Sequence, residues 1–177
     1  MTSIPEPAPF DRLKIRVSAL VYCEDEVALI RRRRPGSVHY TTIGGNVEAG
    51  EALPDALARE LREELGLDVA RAEGGELVWV VDQRVSRPGP TPPPRKLHLV
   101  HRFRVTPEVR AGLATVEYDE LPGGGTEEGR IVWVDHRRTA DLPVFPPVGP
   151  QLARLGPRTA VTDAALPAVT DDNYRWV

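Results

Sequence analysis

The segment from Gly45 to Leu67, GNVEAGEALPDALARELREELGL, constrains this chain more than any other stretch of it. Between Ala52 and Leu65 there is no glycine, and the one proline, Pro54, falls in what would be the first helical turn. First-turn amides have no intrahelical partner, so a proline there removes no helical hydrogen bond. Ala, Leu, Arg and Glu dominate the rest, all strong helix formers. Gly66 is placed to end the helix in a left-handed conformation. On a wheel of ~100° per residue with Glu60 at zero, Glu64 falls at roughly 40° and Glu63 at roughly −60°. The three carboxylates form one stripe at i, i+3 and i+4. Leu57, Leu61 and Leu65 lie at roughly 60° to 140° in the same projection, an adjoining apolar stripe. The carboxylate row therefore borders a packing face and need not lie free in solvent.

Clustered carboxylates repel, by on the order of a few tenths of a kcal/mol for an i,i+4 pair. A hard divalent cation relieves this. Magnesium takes oxygen ligands, often one or two carboxylates with waters and substrate phosphates. Such an ion neutralises phosphate oxygens and activates an attacking water. A bare E-x-x-E-E helix reads first as a solvated face with Glu–Arg pairing. The flanking Gly44-Gly45, Glu51 and Arg59 turn the balance toward a metal.

The spacing runs Gly45, five residues, Glu51, seven residues, Arg59-Glu60-Leu61, one residue, Glu63-Glu64, one residue, Gly66-Leu67. Every fixed position of the Nudix box is present, so the chain resembles the Nudix hydrolase superfamily. That resemblance implies an α+β fold, a Nudix-type α/β/α sandwich with a mixed central β-sheet. It also implies a Mg2+-dependent pyrophosphohydrolase, with Mn2+ as a substitute. The bond cleaved would be a phosphoanhydride of a nucleoside diphosphate linked to another moiety, such as a nucleoside triphosphate or a nucleotide sugar. By the same resemblance Glu60 and Glu64 are the main metal ligands. Glu63 is a further ligand or the base, and the Gly44 carbonyl completes the metal shell. Gly44 and Gly45 meet the substrate. Arg59 orients a box carboxylate through a bidentate pair, which a planar guanidinium suits, and Glu51 is structural. Glu127 and Glu128, ahead of the last strand, match the late acidic position that reaches the metal in many members, as ligand or base.

Two departures bear on the substrate. Ile43 stands where the family commonly has a proline before the double glycine. The region Val81–Arg84 carries neither the proline of ADP-ribose enzymes nor the tyrosine of dinucleoside polyphosphate enzymes, which weighs against both. Two competing readings are a non-catalytic nucleotide-binding regulator and an isoprenoid diphosphate isomerase. The intact box argues against the first. The second normally needs a cysteine, and Cys23 lies far upstream of the box.

A chain of 177 residues is long enough for one domain with a substantial core. A net charge of −3 lends no support to general nucleic-acid binding. The single cysteine forbids an intrachain disulfide. The opening MTSIPEPAPF is unlike a basic-then-apolar signal peptide, and no apolar run reaches the ~18 residues of a membrane span. The expectation is a cytoplasmic protein with a small nucleotide-type substrate, no nucleic-acid or membrane partner, and a homodimeric state like many relatives.

The chain divides into a flexible arm (1–11), a Nudix domain (12–155) and a C-terminal extension (156–177). Strands are expected over Leu13–Tyr22, Glu26–Arg32, Glu76–Val85, Lys96–Val105 and Arg130–Asp135, with a short helix ending at Leu155. Segments 33–50 and 119–129 are expected as loops. The proline-rich 86–95 cannot continue a sheet and reads as a dimer arm or a lid. In Lys96–Val105, side chains alternate, so Lys96, His98, Val100, Arg102 and Arg104 share a face. That face either meets substrate or is the wet side of the sheet. At most about half of Arg31–Arg34 can face one cleft. Arg31, Arg33 and Arg102 are the expected phosphate contacts and Tyr40 the expected stacking group. Trp79 and Trp133 are assigned to packing, and Tyr174-Arg175-Trp176 is the one cluster in the tail.

Overall fold

The computed structural model describes residues 8–121 and 123–175. Most of the expected N-terminal arm and Trp176 therefore lie outside the described residues. At the edge of that arm the Phe10 amide donates to the Pro93 carbonyl at 2.8 Å, which ties the start of the chain to the proline-rich segment.

The central strand is β1 (Leu13–Cys23), continued through a tight turn into β2 (Glu26–Arg34). From Val17 to Cys23 every residue of β1 is buried. Val17, Ala19 and Val21 face one core, and Leu20 and Tyr22 face a second. Burial on both faces explains why this strand is a continuous apolar run. Two further strands follow, β3 (Ser37–Thr41) and β4 (Ile43–Asn46), and then helix α1 (Leu53–Leu65). α1 lays Ala56, Leu57, Leu61 and Leu65 against Val17, Ala19 and Val21. Gly66 ends it at φ 67°, with its N–H donating to the Arg62 carbonyl at 3.0 Å, the left-handed cap expected from the sequence.

The long antiparallel pair β5 (Glu73–Arg84) and β6 (Arg95–Arg104) lies on the other side of β1, with β6 parallel to β1. A short helix α2 (Pro107–Ala111) leads to the hairpin β7 (Val116–Glu120) and β8 (Thr126–Asp135), and β8 pairs with β2. The chain closes with β9 (Val144–Phe145), α3 (Gly149–Arg154) and β10 (Val169–Thr170), the last parallel to the end of β5. The result is a mixed sheet with α1 on one face and α3 with the C-terminal segment on the other, the expected sandwich. No helix among the described residues is long and apolar enough to cross a membrane.

Three expectations are corrected. Segment 33–50 holds β3 and β4 as well as loop: β3 pairs with β2, and β4 with β1. Segment 119–129 is the end of β7 and the start of β8, a strand pair closed by the glycines 123–125. The face of β6 taken as wet or substrate-facing is not wet: His98, Val100 and Arg102 are buried, and of that face Lys96 and His98 line the cleft described below. Residues 156–175 supply the cover: Leu166, Val169 and Tyr174 pack into the second core. Arg102 donates there to the Gly156 and Thr159 carbonyls at 2.9 and 2.7 Å and to Glu76 at 2.8 Å. It is a structural tie, and the expected substrate contact at Arg102 does not exist in this arrangement.

Candidate active site

The antiparallel β4–β1 pair carries the double glycine onto the carboxylate side of α1. Gly44 and Gly45 oppose Ser18 and Val17. The Gly44 N–H donates to Glu64 Oε2 at 2.6 Å. Gly45 lies so close to Glu60 that a Cβ there would collide with its carboxylate. Arg59 organises the row. It donates to both oxygens of Glu51 at 2.8 and 3.0 Å, to Glu60 Oε1 at 2.7 Å, to Glu63 Oε2 at 3.2 Å and to the Asn46 carbonyl at 3.0 Å. The bidentate partner is thus Glu51, which this bond holds down to about pKa 2.

Glu60 and Glu64 behave differently from a solvated pair. Burial is the main cause raising both, and Glu64 is pushed up to about 8 even though the Gly44 N–H bond opposes the rise. The charges of Glu117 and Glu60 add to it. Arg16 opposes the rise at both, and a hard divalent ion would favour their charged forms further. Because residue 45 has no side chain, the Glu60 carboxylate can lie against the double glycine. No three of these side chains converge as a ready metal cluster among the described residues, because Arg59 draws Glu60 and Glu63 toward itself. The residues fit the ion in their chemistry, as an oxygen-only donor set of carboxylates beside a backbone carbonyl.

The opposite wall comes from strands. Arg16 on β1 donates to the Gly44 carbonyl and to Asn46, both at 3.3 Å. Burial lowers its pKa, with Glu64 and Glu60 opposing. Arg32 on β2 is buried and ion-paired with the equally buried Glu117 on β7, with Asp119 and Glu127 at 3.7 Å. Lys96 and His98 of β6 continue the floor, and Phe145, Tyr174 and Arg175 close the far end. The cleft so formed has a volume of about 1010 Å³, at the upper end of ordinary ligand sites.

Glu60, Glu63, Glu64, Arg59, Gly44, Gly45 and Glu127 all line this cleft. Arg31, Arg33, Tyr40 and Glu128 do not. β2 runs to Arg34, and the alternation expected for the arginines is present with the opposite phase. Arg32 and Arg34 follow Ile30 onto the cleft side, while Arg31 and Arg33 follow Leu29. Both faces of Val27–Ile30 are buried, so the phase could not be read from hydrophobicity. Tyr40 packs with the second core, since the strand alternation of β3 sends His39 and Thr41 to the cleft instead. Glu128 points to the other face of β8 and pairs with Arg130 at 3.3 Å. Ile43 is fully buried in the α1-side core, so it does not meet the substrate. The sequence reading missed Arg16, Glu117 and Phe145, and offered Lys96 only as part of a face that was either wet or substrate-facing. The one signal for Glu117 was the alternation Glu117-Tyr118-Asp119, which marks a strand with two acids on one face.

A family model described as NUDIX domain matches residues 12–138. Among curated proteins the chain is similar to the NAD-capped RNA hydrolase NudC of Pseudomonas aeruginosa. They are 42% identical over 64 residues, which is 36% of this chain and 23% of that protein. The namesake from Stutzerimonas stutzeri is 40% identical over 60 residues, 34% of this chain and 22% of that one. The match thus spans less than a quarter of those relatives' length. Among solved structures, the MutT protein from Methanosarcina mazei Go1 superposes with a TM-score of 0.57 at 20% identity, covering 86% of this chain and 95% of that one. A NUDIX hydrolase from Nitrosomonas europaea gives 0.52 at 21%, covering 95% and 81%. At that identity the likeness is one of fold. The family match reaches across β1, the box helix and the β7–β8 hairpin, all the elements that build the cleft apart from its far end, and the chain belongs to the NUDIX domain family.

Proposed function

We propose that this protein is a Mg2+-dependent pyrophosphohydrolase that cleaves the phosphoanhydride of a nucleoside diphosphate linked to another moiety. The observation that carries this is the pair Glu60 and Glu64, half-sequestered beside Gly44-Gly45 and faced across the cleft by Arg16 and Arg32. The bound cation would neutralise phosphate oxygens and make a coordinated water a better nucleophile. Glu60, Glu64 and the Gly44 carbonyl hold it, with Glu63 able to join. Arg59 ties Glu60 and the 46–51 loop together, which keeps the carboxylate row beside the double glycine. Arg16, which donates to the Gly44 carbonyl beside Glu64, would supply positive charge to the substrate's phosphates. Glu117 and Glu127 are the late carboxylates on the cleft side, and Glu117 is the one whose charge Glu64 feels. Glu117 therefore joins Glu127 in the role first assigned to Glu127 and Glu128.

The decisive variant is Glu64→Gln, which keeps the shape and removes the charge. Nucleoside triphosphates, nucleotide sugars and nicotinamide dinucleotides, incubated with magnesium, are scored for released phosphate, pyrophosphate or mononucleotide. The dinucleotides are included because the curated relatives are named for NAD-capped RNA. On the best substrate, turnover of the variant is expected to fall on the order of 100-fold or more with an unchanged urea midpoint. A variant of near-normal rate would refute the assignment.

A further inference from the structure

A second, shallow and open depression of about 400 Å³ adjoins the far end of the cleft, and the two share Tyr174 and Arg175. Its other walls are Ser86, Arg87, Pro88 and Asp171. It is built by the two segments that the catalytic reading leaves unused, the proline-rich run after β5 and the C-terminal segment around β10. Their junction is fixed. Thr170 pairs with Arg84, and Asp171 receives the Ser86 N–H at 2.8 Å on one oxygen and the Ser86 hydroxyl at 2.7 Å on the other.

Both Asp171 oxygens are thus engaged by Ser86. Neither Arg87 nor Arg175 has an ion-pair partner among the described residues. Two arginines therefore border one shallow depression without a carboxylate committed to either. The positive field extends back toward the carboxylate row. Lys96 on the cleft floor is pushed down to about 8, first by burial and then by the charges of Arg16, Arg87 and Lys14. Cations thus run from Arg16, beside Glu64, through Lys96 to Arg87. A guanidinium pair is suited to a phosphate, whose oxygens match its fork. A depression of this size takes a phosphate with part of a sugar.

We propose that Arg87 and Arg175 form a second anion subsite, which holds a phosphate beyond the pyrophosphate that is cleaved. The preferred substrate is then a nucleoside diphosphate whose linked moiety carries a further phosphate. That phosphate is either a monoester on a sugar or the first internucleotide diester of an RNA end. The inference rests on the proposed function only for where the pyrophosphate lies. The subsite itself is read from binding, without turnover.

The test is calorimetric titration of the full chain with AMP, adenosine 3′,5′-bisphosphate and the dinucleotide pApA. The bisphosphate is expected to bind about tenfold more tightly than AMP or better. In the double variant Arg87→Gln/Arg175→Gln that advantage should shrink to about twofold or less. pApA sharing the advantage identifies the diester of an RNA end as the occupant; pApA binding like AMP identifies the monoester. Equal binding of AMP and bisphosphate to the native protein overturns the subsite, as does an advantage that survives in the double variant. Arg175→Gln alone, at an exposed position, repeats the comparison if the double variant shows a lowered urea midpoint. Failure of the whole substrate panel to release phosphate would refute the hydrolase reading and leave this binding result standing.

Discussion

Gly44 and Gly45 are neighbours, yet each excludes a side chain for a different reason. Gly44 sits at φ 138°, where an L residue is strained, and a Cβ there would run into the backbone of Val17. At Gly45 the obstacle is only the Glu60 carboxylate, the movable end of a side chain. The consequences separate cleanly. Gly45→Ala should fold with a urea midpoint close to native, because Glu60 can swing aside. Its turnover should drop by about 100-fold, since a displacement of about 1 Å in a catalytic group costs that much. Gly44→Ala should lower the midpoint itself. A Gly45→Ala enzyme of full activity would show that Glu60 need not occupy its present position.

At the scale of elements, the β5–β6 pair buries a histidine with an uncommon electrostatic history. His98 Nε2 lies 2.6 Å from Gln83 Oε1, and the ring is fully buried against the second core. Burial pulls its pKa down to about 3 from an ordinary 6.5, with Arg16 and Lys96 adding to the shift. The folded value lies below the unfolded one, so the stability from keeping the ring neutral is complete above pH 6.5. As pH falls from there toward 3, the unfolded chain binds a proton that the folded chain refuses, and stability is lost. Across that window His98 should account for a decline of order several kcal/mol. His98→Asn keeps a partner for Gln83 and does not titrate, so its urea midpoint should fall less steeply between pH 6.5 and 4 than that of the native protein. Parallel curves would mean that His98 is solvated when folded. The same pair of strands shows why the wet face of β6 was misjudged. The alternation of Lys96, His98, Val100, Arg102 and Arg104 is correct as geometry, but residues 156–175 cover the polar side and satisfy it with carbonyls.

For the whole molecule, the tail is part of the fold's second layer. Removing residues 156–177 would leave Arg102 without its Gly156 and Thr159 carbonyl partners and expose the surface beneath Leu166 and Val169. A chain ending at Leu155 should therefore lose about 3 kcal/mol or more, read as a lower urea midpoint. An unchanged midpoint would make residues 12–155 a self-sufficient unit.

The parts of this protein legible in the sequence are those whose physics is local. The spacing of Glu60, Glu63 and Glu64 and of Leu57, Leu61 and Leu65 is set by 3.6 residues per turn. The helix, its glycine cap, its buried face and its carboxylate row therefore follow from the chain alone. Strand existence was largely legible as well, where one face is apolar. Strand phase in Val27–Arg34 was not, because burial on both faces erases the alternation that would reveal it. The cleft wall opposite the helix is likewise a tertiary product. Arg16, Lys96, Glu117 and Tyr174 lie far apart in sequence and meet only because β1 takes β6 as a parallel neighbour, β8 pairs with β2, and the tail pairs with β5. The sequence by itself determined which helix carries the carboxylate row. Only the tertiary structure decided which cations face that helix, because strand pairing brings together residues that no local period connects.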